Sequence, residues 1–191
     1  AIRFKKKTIE RVDHIITISQ STKNDLIRLF GVKENKVSVV HLGVDLNIFR
    51  QPKVKNKFAE QSYILYVGSR VGYKNFNGML RACAISNVIK NNITIIAFGG
   101  GAFNSKELLE INKLGYKDGF VKQVEGNDEM LASLYSNALC FVYPSLYEGF
   151  GLPPLEAMAA ECPVVSSNTS SMPEVINKAG VYFDPNNIDE M

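Results

Sequence analysis

Cysteine and histidine are scarce in this chain. Its 191 residues hold three cysteines, Cys83, Cys140 and Cys162, and two histidines, His14 and His41. The cysteines are odd in number and form no C-x-x-C pair, which excludes a disulfide framework and points to a reducing compartment. Cys140 lies in the apolar run ALCFVYP and reads as a small core residue. The two histidines stand far apart and, with those cysteine spacings, exclude a protein-built zinc site. No run of about 18 apolar residues occurs, so no bilayer span is expected, nor is a secretory leader. Charge of one sign is lacking too. Lys and Arg number 22 against 19 Asp and Glu, a net charge of +3, too weak a bias to argue for nucleic acid. The one dense basic run, RFKKK at 3–7, reads first as a solvated helix face.

What is present is a core. Apolar residues make up 46% of the chain, enough for one domain of ordinary size or one domain plus a fragment. The first residues have helical character, and the closing NNIDEM reads as the start of another helix. Both ends are expected to be cuts in a longer protein. HIITIS (14–19) predicts a strand, and STKNDLIRLFG (21–31) a helix with Ser21 as its cap and Gly31 as its stop. KVSVVHLGVD (36–45) predicts a strand running into a turn, and 46–61 an irregular connector. Strands and helices then alternate. Strands are expected at 63–69, 93–101, 119–126, 139–145, 162–167 and 180–183, and helices at 75–90, 105–115, 128–138, 153–160 and 171–179. Strands that are apolar throughout and separated by helices imply an α/β fold, a Rossmann-like doubly wound parallel sheet with helices on both faces, from about residue 60 onward. Ligands of such sheets bind outside the carboxyl ends of the strands.

Four loops follow strands and carry glycine. GSRVGYKN (68–75) sets Arg70 and Lys74 beside Gly68. Two cations there suit a diphosphate, Arg as a fork and Lys as a point charge, with a solvated turn as the alternative. No Walker loop is present. FGGGAF (98–103), with Gly99 and Gly100, permits close backbone approach by a ligand or merely a tight turn. QVEGNDE (123–129), with Val124, offers backbone groups to the edge of a base, or is a surface turn.

The fourth loop is the most informative. In SLYEGFGLPPLEAMA (145–159), Glu148 stands at a strand's carboxyl end and Glu156 in what reads as the first turn of the next helix. Gly149 and Gly151 leave the N–H groups of Gly149, Phe150, Gly151 and Leu152 uncovered ahead of a helix N-terminus, where an anion is favoured. A carboxylate accepts two hydrogen bonds from vicinal hydroxyls, so two acids bent round a glycine turn can grip two diols. Separately, Glu156 could simply complement the helix dipole and Glu148 could be an exposed loop acid.

EGFGLPPLEAMA resembles the E-x7-E motif of retaining glycosyltransferases of family 4, which have a GT-B fold. CPVVSSNTSSMPEVINKAGVYFDP resembles the family's following segment, and ITISQSTKNDL and VSVVHLGVD its crossing between domains. The resemblance implies a division into the tail of an N-terminal acceptor domain (1–36), a connector (37–61) and a C-terminal nucleotide-sugar domain (62–191). It implies that Glu148 binds donor-sugar hydroxyls and Glu156 the ribose. The amides of Gly149, Phe150, Gly151 and Leu152 would meet sugar or phosphate oxygens, and Arg70 and Lys74 would hold the diphosphate as the glycosidic bond breaks. Arg70, Lys74 and Glu148 are thus the expected catalytic residues. Gly68, Gly99, Gly100, Val124 and Glu156 join the 149–152 amides in donor binding. No metal and no cofactor are implied beyond the donor itself. YVGSRVGYKNF resembles the corresponding loop of bacterial mannosyl- and related transferases of surface polysaccharide assembly, which favours a GDP-sugar over a UDP-sugar.

On this resemblance the intact parent moves a hexose to a glycan or lipid-linked acceptor, works in the cytoplasm with peripheral membrane contact open to it, and takes no nucleic acid. The fragment alone is expected to be inactive. Two alternatives remain open, a GT-B sugar-nucleotide epimerase and a non-catalytic nucleotide-sugar module; nucleic-acid binding through the 3–7 run, which would depend steeply on salt, is disfavoured by the neutral remainder of the chain.

Overall fold

The computed structural model describes residues 2–50, 54 and 56–191. A small parallel sheet pairs β1 (Ile15–Thr17) with β2 (Val37–Val39), with α1 (Ile2–Arg11) before it and α2 (Gln20–Phe30) between its strands. A six-stranded sheet follows: β3 (Tyr63–Val67), β4 (Thr94–Phe98), β5 (Val121–Val124), β6 (Cys140–Tyr143), β7 (Val164–Ser167) and β8 (Gly180–Phe183). Its spatial order is β5-β4-β3-β6-β7-β8, and every pairing is parallel. The chain winds outward from β3 to β5, returns, and winds the opposite way from β6 to β8. The reversal lies between β3 and β6, where a doubly wound sheet opens a crevice.

Side chains alternate across the pleat, so both faces of each central strand must be apolar. Tyr63, Leu65 and Val67 point to one core with Phe141 and Ile96, and Ile64 and Tyr66 to the other with Ile95. The first face is covered by α3 (Leu46–Phe49), α7 (Asp128–Asn137), α8 (Leu152–Ala159) and α9 (Met172–Ile176). The second is covered mainly by α4 (Phe76–Ile85) and α6 (Ser105–Lys113). Leu65, Ile96 and Phe141 are fully buried, each contributing about 1.5–3 kcal/mol relative to exposure. Buried tyrosines find carbonyls: Tyr63 Oη donates to Leu134 O (2.7 Å) and Tyr116 Oη to Leu80 O (2.6 Å).

Several boundaries differ from the sequence reading for local reasons. The cap of α2 is Ser19, not Ser21. Its backbone is extended and its Oγ accepts from the Thr22 N–H, so β1 ends early to supply the cap. Gly31 closes α2 as expected, in the left-handed conformation with its N–H on Ile27 O. The helix expected over 75–90 is interrupted at Ser86, whose extended backbone and side chain start α5 (Asn87–Asn92). The connector expected over 46–61 begins with α3, and residues 51–53 and 55 lie outside the described residues. The RFKKK run falls in α1, with the side chains of 3–5 outside the described residues. At the closing end Asn187 Oδ1 accepts from the N–H groups of Asp189 and Glu190, making one turn rather than a helix among the described residues.

Candidate functional site

The loops after β3 and β6 meet at the reversal of the sheet. The Leu146 N–H donates to Tyr73 O (2.7 Å), which joins the two loops by their backbones. That bond sets Lys74 against Glu148: Nζ stands 2.7 Å from Oε1, and both side chains are largely buried. The same ammonium donates to Tyr143 Oη (3.3 Å), at the last residue of β6. Burial, and then the Glu148 carboxylate beside it, raises the Tyr143 hydroxyl above its ordinary pKa, so it stays protonated.

The turn that carries the two glycines is held from behind by its carbonyls. Ser171 Oγ lies 2.9 Å from Glu148 O and 2.8 Å from Phe150 O. Gly149 O accepts from Ser19 Oγ (2.6 Å) and Thr22 Oγ1 (3.1 Å), both on the α2 entry. The Glu148 N–H donates to Ser170 Oγ (2.8 Å). In a planar trans peptide the N–H points opposite the preceding carbonyl. With three successive carbonyls anchored, the N–H groups of Gly149, Phe150 and Gly151 face away from the anchors, and they meet no acceptor among the described residues. Gly151 has φ 108°, a backbone conformation that strains any residue with a side chain, which favours glycine there. The helix α8 starts at Leu152, immediately after these amides.

Glu156 lies on α8, partly buried, with Oε2 accepting from Tyr135 Oη (3.1 Å). Burial raises its pKa, the Tyr135 hydrogen bond opposes that, and Asp128 adds to it. The helix begins one residue earlier than expected, and no acid falls in its first turn. The dipole reading of Glu156 is therefore corrected: the dipole's pull fades beyond the first turn. What remains is a carboxylate kept partly out of water and hydrogen-bonded by a tyrosine, suited to a hydroxyl-bearing ligand.

Arg70 is the main departure. It is buried, and its guanidinium faces inward. Nε donates to Glu107 Oε1 (2.7 Å), Nη1 to Gly99 O (2.8 Å), and Nη2 to Gly101 O (2.8 Å) and Ala102 O (3.2 Å). Its face lies 4.7 Å from the Phe103 ring centre. The expectation that Arg70 and Lys74 jointly grip a diphosphate is corrected to this extent: the fork is occupied by the loop after β4, because a buried guanidinium needs acceptors for its N–H groups and that loop supplies them.

The remaining candidates sit at the same carboxyl-end rim. The Gly68 N–H donates to Phe98 O (3.0 Å) and the Gly99 N–H to Val124 O (2.9 Å), extending the ladder past the strands. Gly100 lies against the Arg70 guanidinium, and Val124 ends β5, two strands from β3. Sequence reasoning missed Ser19, Thr22, Tyr135, Tyr143 and Glu107. Ser19 and Thr22 left a local signal as acceptable helix caps, and Glu107 left one in the capping box Asn104–Glu107 at the start of α6. Among the described residues no group of three or more His, Cys, Asp or Glu could hold a metal ion, and no helix is long and apolar enough to cross a membrane.

Comparison with known proteins places this geometry. The family described as Glycosyl transferases group 1 matches residues 47–191, and the family described as Glycosyltransferase Family 4 matches residues 1–48. The O-antigen chain mannosyltransferase B of Escherichia coli is 34% identical over 98% of this chain and 53% of its own length. An O-antigen chain mannosyltransferase of Salmonella typhimurium is 31% identical over 94% of this chain and 49% of its own. The chain thus spans about half the length of the curated relatives it matches. Among solved structures, Anabaena HepE in complex with UDP and glucose superposes with a TM-score of 0.84 at 20% identity, over 99% of this chain and 54% of that one. Sucrose-phosphate synthase from Thermosynechococcus elongatus superposes at 0.81 with 22% identity, over 99% and 49%. At those identities the structures speak for the Rossmann-like fold. The family match covers three quarters of the chain and runs through the loop in which Glu148 meets Lys74, and on it this chain belongs to the group 1 glycosyl transferases.

Proposed function

We propose that this chain is the donor-binding half of a glycosyltransferase that moves a hexose, mannose first, from a nucleoside-diphosphate sugar to a glycan or lipid-linked acceptor. The observation that carries the reading is the Lys74–Glu148 pair, 2.7 Å apart at the reversal of the sheet and beside three amide donors without acceptors. Without ligand the two charges neutralise each other. A sugar diphosphate inserted there gives each a better partner: the ammonium takes the phosphate and the carboxylate takes sugar hydroxyls. Lys74 and the amides at the start of α8 then supply positive charge where it grows on the departing diphosphate. Glu156 accepts the ribose hydroxyls. The donor is the only small molecule this scheme requires.

The E-x7-E resemblance supports transfer with retention, in which the leaving phosphate takes the acceptor's proton and neither glutamate acts as a nucleophile. The mannosyltransferases among the bacterial relatives support mannose, and hence a GDP-sugar over a UDP-sugar, although HepE was solved with UDP and glucose. Two family matches that meet at residues 47 and 48 support a division near the connector, with an acceptor domain before it and the nucleotide-sugar domain after it. This scheme puts transfer in the whole protein and leaves these residues alone with weak donor binding.

Calorimetric titration of the chain with GDP-mannose, UDP-glucose, GDP and UDP tests the reading, repeated on Lys74→Ala and Glu156→Ala. Both variants should weaken the sugar nucleotide by at least about tenfold, the loss of one charge-assisted hydrogen bond or more. Unchanged affinity in both would move the site elsewhere. Donor binding without transfer, even in the whole protein, would leave a non-catalytic module.

A further inference from the structure

Two glycine-bearing loops of this rim share one construction. In the turn after β6, hydroxyls anchor three carbonyls and leave the opposite amides free. In the turn after β4, a guanidinium does the same work. Arg70 takes the carbonyls of Gly99, Gly101 and Ala102. Each peptide being planar and trans, the N–H groups of Gly100, Ala102 and Phe103 point away from Arg70, and they meet no acceptor among the described residues. Glu107 locks the arrangement from the other side. It accepts Arg70 Nε at 2.7 Å and the Asn104 N–H at 2.8 Å, tying the guanidinium to the point where the loop enters α6. Burial alone would raise the Glu107 pKa, but the Arg70 fork and the Asn104 N–H outweigh it and hold the carboxyl below its ordinary value. The loop is shaped to this cation. A Cβ at Gly100, where φ is +73°, would stand 2.7 Å from Arg70 Nη1. The guanidinium face rests on Phe103, and Phe76 lies 6.0 Å away.

We infer that Arg70 and Glu107 are a positioning pair: the buried fork holds the 99–102 carbonyls inward so that the opposite amides form a second binding surface for the donor's diphosphate. This rests on the donor reading above and deepens it. Arg70 does not touch the ligand. It acts through the backbone, and Lys74 is the side chain that meets phosphate.

Glu107→Gln separates this from direct contact. If Arg70 gripped the diphosphate itself, weakening its tie to Glu107 would release the fork toward the ligand, and GDP would bind as well as before or better. As a positioning pair, Glu107→Gln and Arg70→Lys each loosen the loop. The Kd for GDP should rise about tenfold in each, and the double variant should lose little more than either single one. The Kd for guanosine, which has no phosphate, should stay unchanged in all three, a split that general loosening of the fold would not produce. GDP affinity retained in Glu107→Gln, or losses that add in the double variant, overturns the inference. Should the variants fold poorly, amide hydrogen exchange on the unaltered chain decides. The N–H groups of 100, 102 and 103 should exchange freely and become protected when GDP is added, and no change there overturns the inference. If the unaltered chain binds no sugar nucleotide or GDP at all, the donor reading itself fails. If it does bind them and only the Glu107 and Arg70 results disagree, this inference alone fails.

Discussion

Glu156 and Arg70 show how burial assigns opposite roles to charged side chains. Glu156 is partly buried and accepts from the Tyr135 hydroxyl, and burial, opposed by that hydroxyl and aided by Asp128, raises its pKa. An acid whose pKa is raised by folding costs stability above that value, and the cost vanishes below the unfolded one. Glu156→Gln should therefore raise Tm slightly at pH 7 while raising the Kd for the sugar nucleotide by roughly tenfold or more. A thermal melt and a titration on one sample check this trade, and a variant both less stable and fully able to bind would contradict it. Arg70 is the reverse case: its charge is spent inside the protein on four carbonyl and carboxylate partners. Its position four residues before Lys74 made a shared diphosphate site a natural expectation. The turn between them aims the two cations differently, Arg70 at the loop after β4 and Lys74 at Glu148. That outcome was not legible in the sequence, because it depends on where the glycine carbonyls of another loop arrive.

At the scale of elements, α2 matters more than its exposed face suggests. Its entry residues Ser19 and Thr22 both hold Gly149 O. Tyr147 donates to Asp25 one turn further along. Glu174 on α9 accepts from the N–H groups of Gln20 (2.7 Å) and Ser21 (3.3 Å) and lies 2.6 Å from His41 Nε2. An acid from another element thus caps this helix alongside Ser19. The consequence is that a segment matched by the Glycosyltransferase Family 4 description shapes the Glu148–Gly151 turn, which lies in the segment matched by the Glycosyl transferases group 1 description. Ser19→Ala should cost about 1–2 kcal/mol of stability, a Tm drop of roughly 2–8 °C for a domain of this size. Thr22→Val keeps the volume and removes only the hydroxyl. It should leave the melt nearly unchanged and weaken the sugar nucleotide a few-fold. Identical affinity in both variants would mean the turn holds its shape without α2. The sequence reading placed the cap two residues late, because Ser19, Ser21 and Thr22 are all acceptable caps by composition and only the extended backbone at Ser19 distinguishes them.

For the whole molecule, three acids tie distant segments together, and all three have lowered pKa values. Asp25 is lowered chiefly by Tyr147 and then Arg28. In Glu107 and Glu174 burial acts in the raising direction but is outweighed, by Arg70 and the Asn104 N–H in one and by the Gln20 N–H and His41 in the other. A depressed carboxylate contributes stability that is fully present above its unfolded pKa and is lost as pH falls through the folded value. The ordinary values are 3.8 for Asp and 4.5 for Glu. Tm should thus be nearly level as pH falls from 7 to about 5 and drop below about 4.5, and the drop should be shallower in Glu107→Gln, which has one fewer proton to take up. Melts across that range check it, and an equally steep loss in the variant would mean the Arg70–Glu107 pair carries none of the acid sensitivity.

The sequence by itself determined the alternation of strands and helices from residue 63 onward, though not the break at Ser86, because a short apolar run reads as a strand buried on both faces and a longer run at 3.6-residue spacing as a helix. It determined the rim at which the glycine-bearing loops that follow strands gather, since parallel strands send all such loops to one end, and it marked Glu148, Glu156 and Lys74 as the candidates there. Only the tertiary structure decided which of those groups meet. The Lys74–Glu148 contact spans 74 positions of chain, Ser19 reaches Gly149 across 130, and Arg70 turns inward to Glu107. Local propensity reports a residue's own backbone. Which acceptor a buried donor finds is set by the packing of elements far apart in sequence, and no short window of residues contains that information.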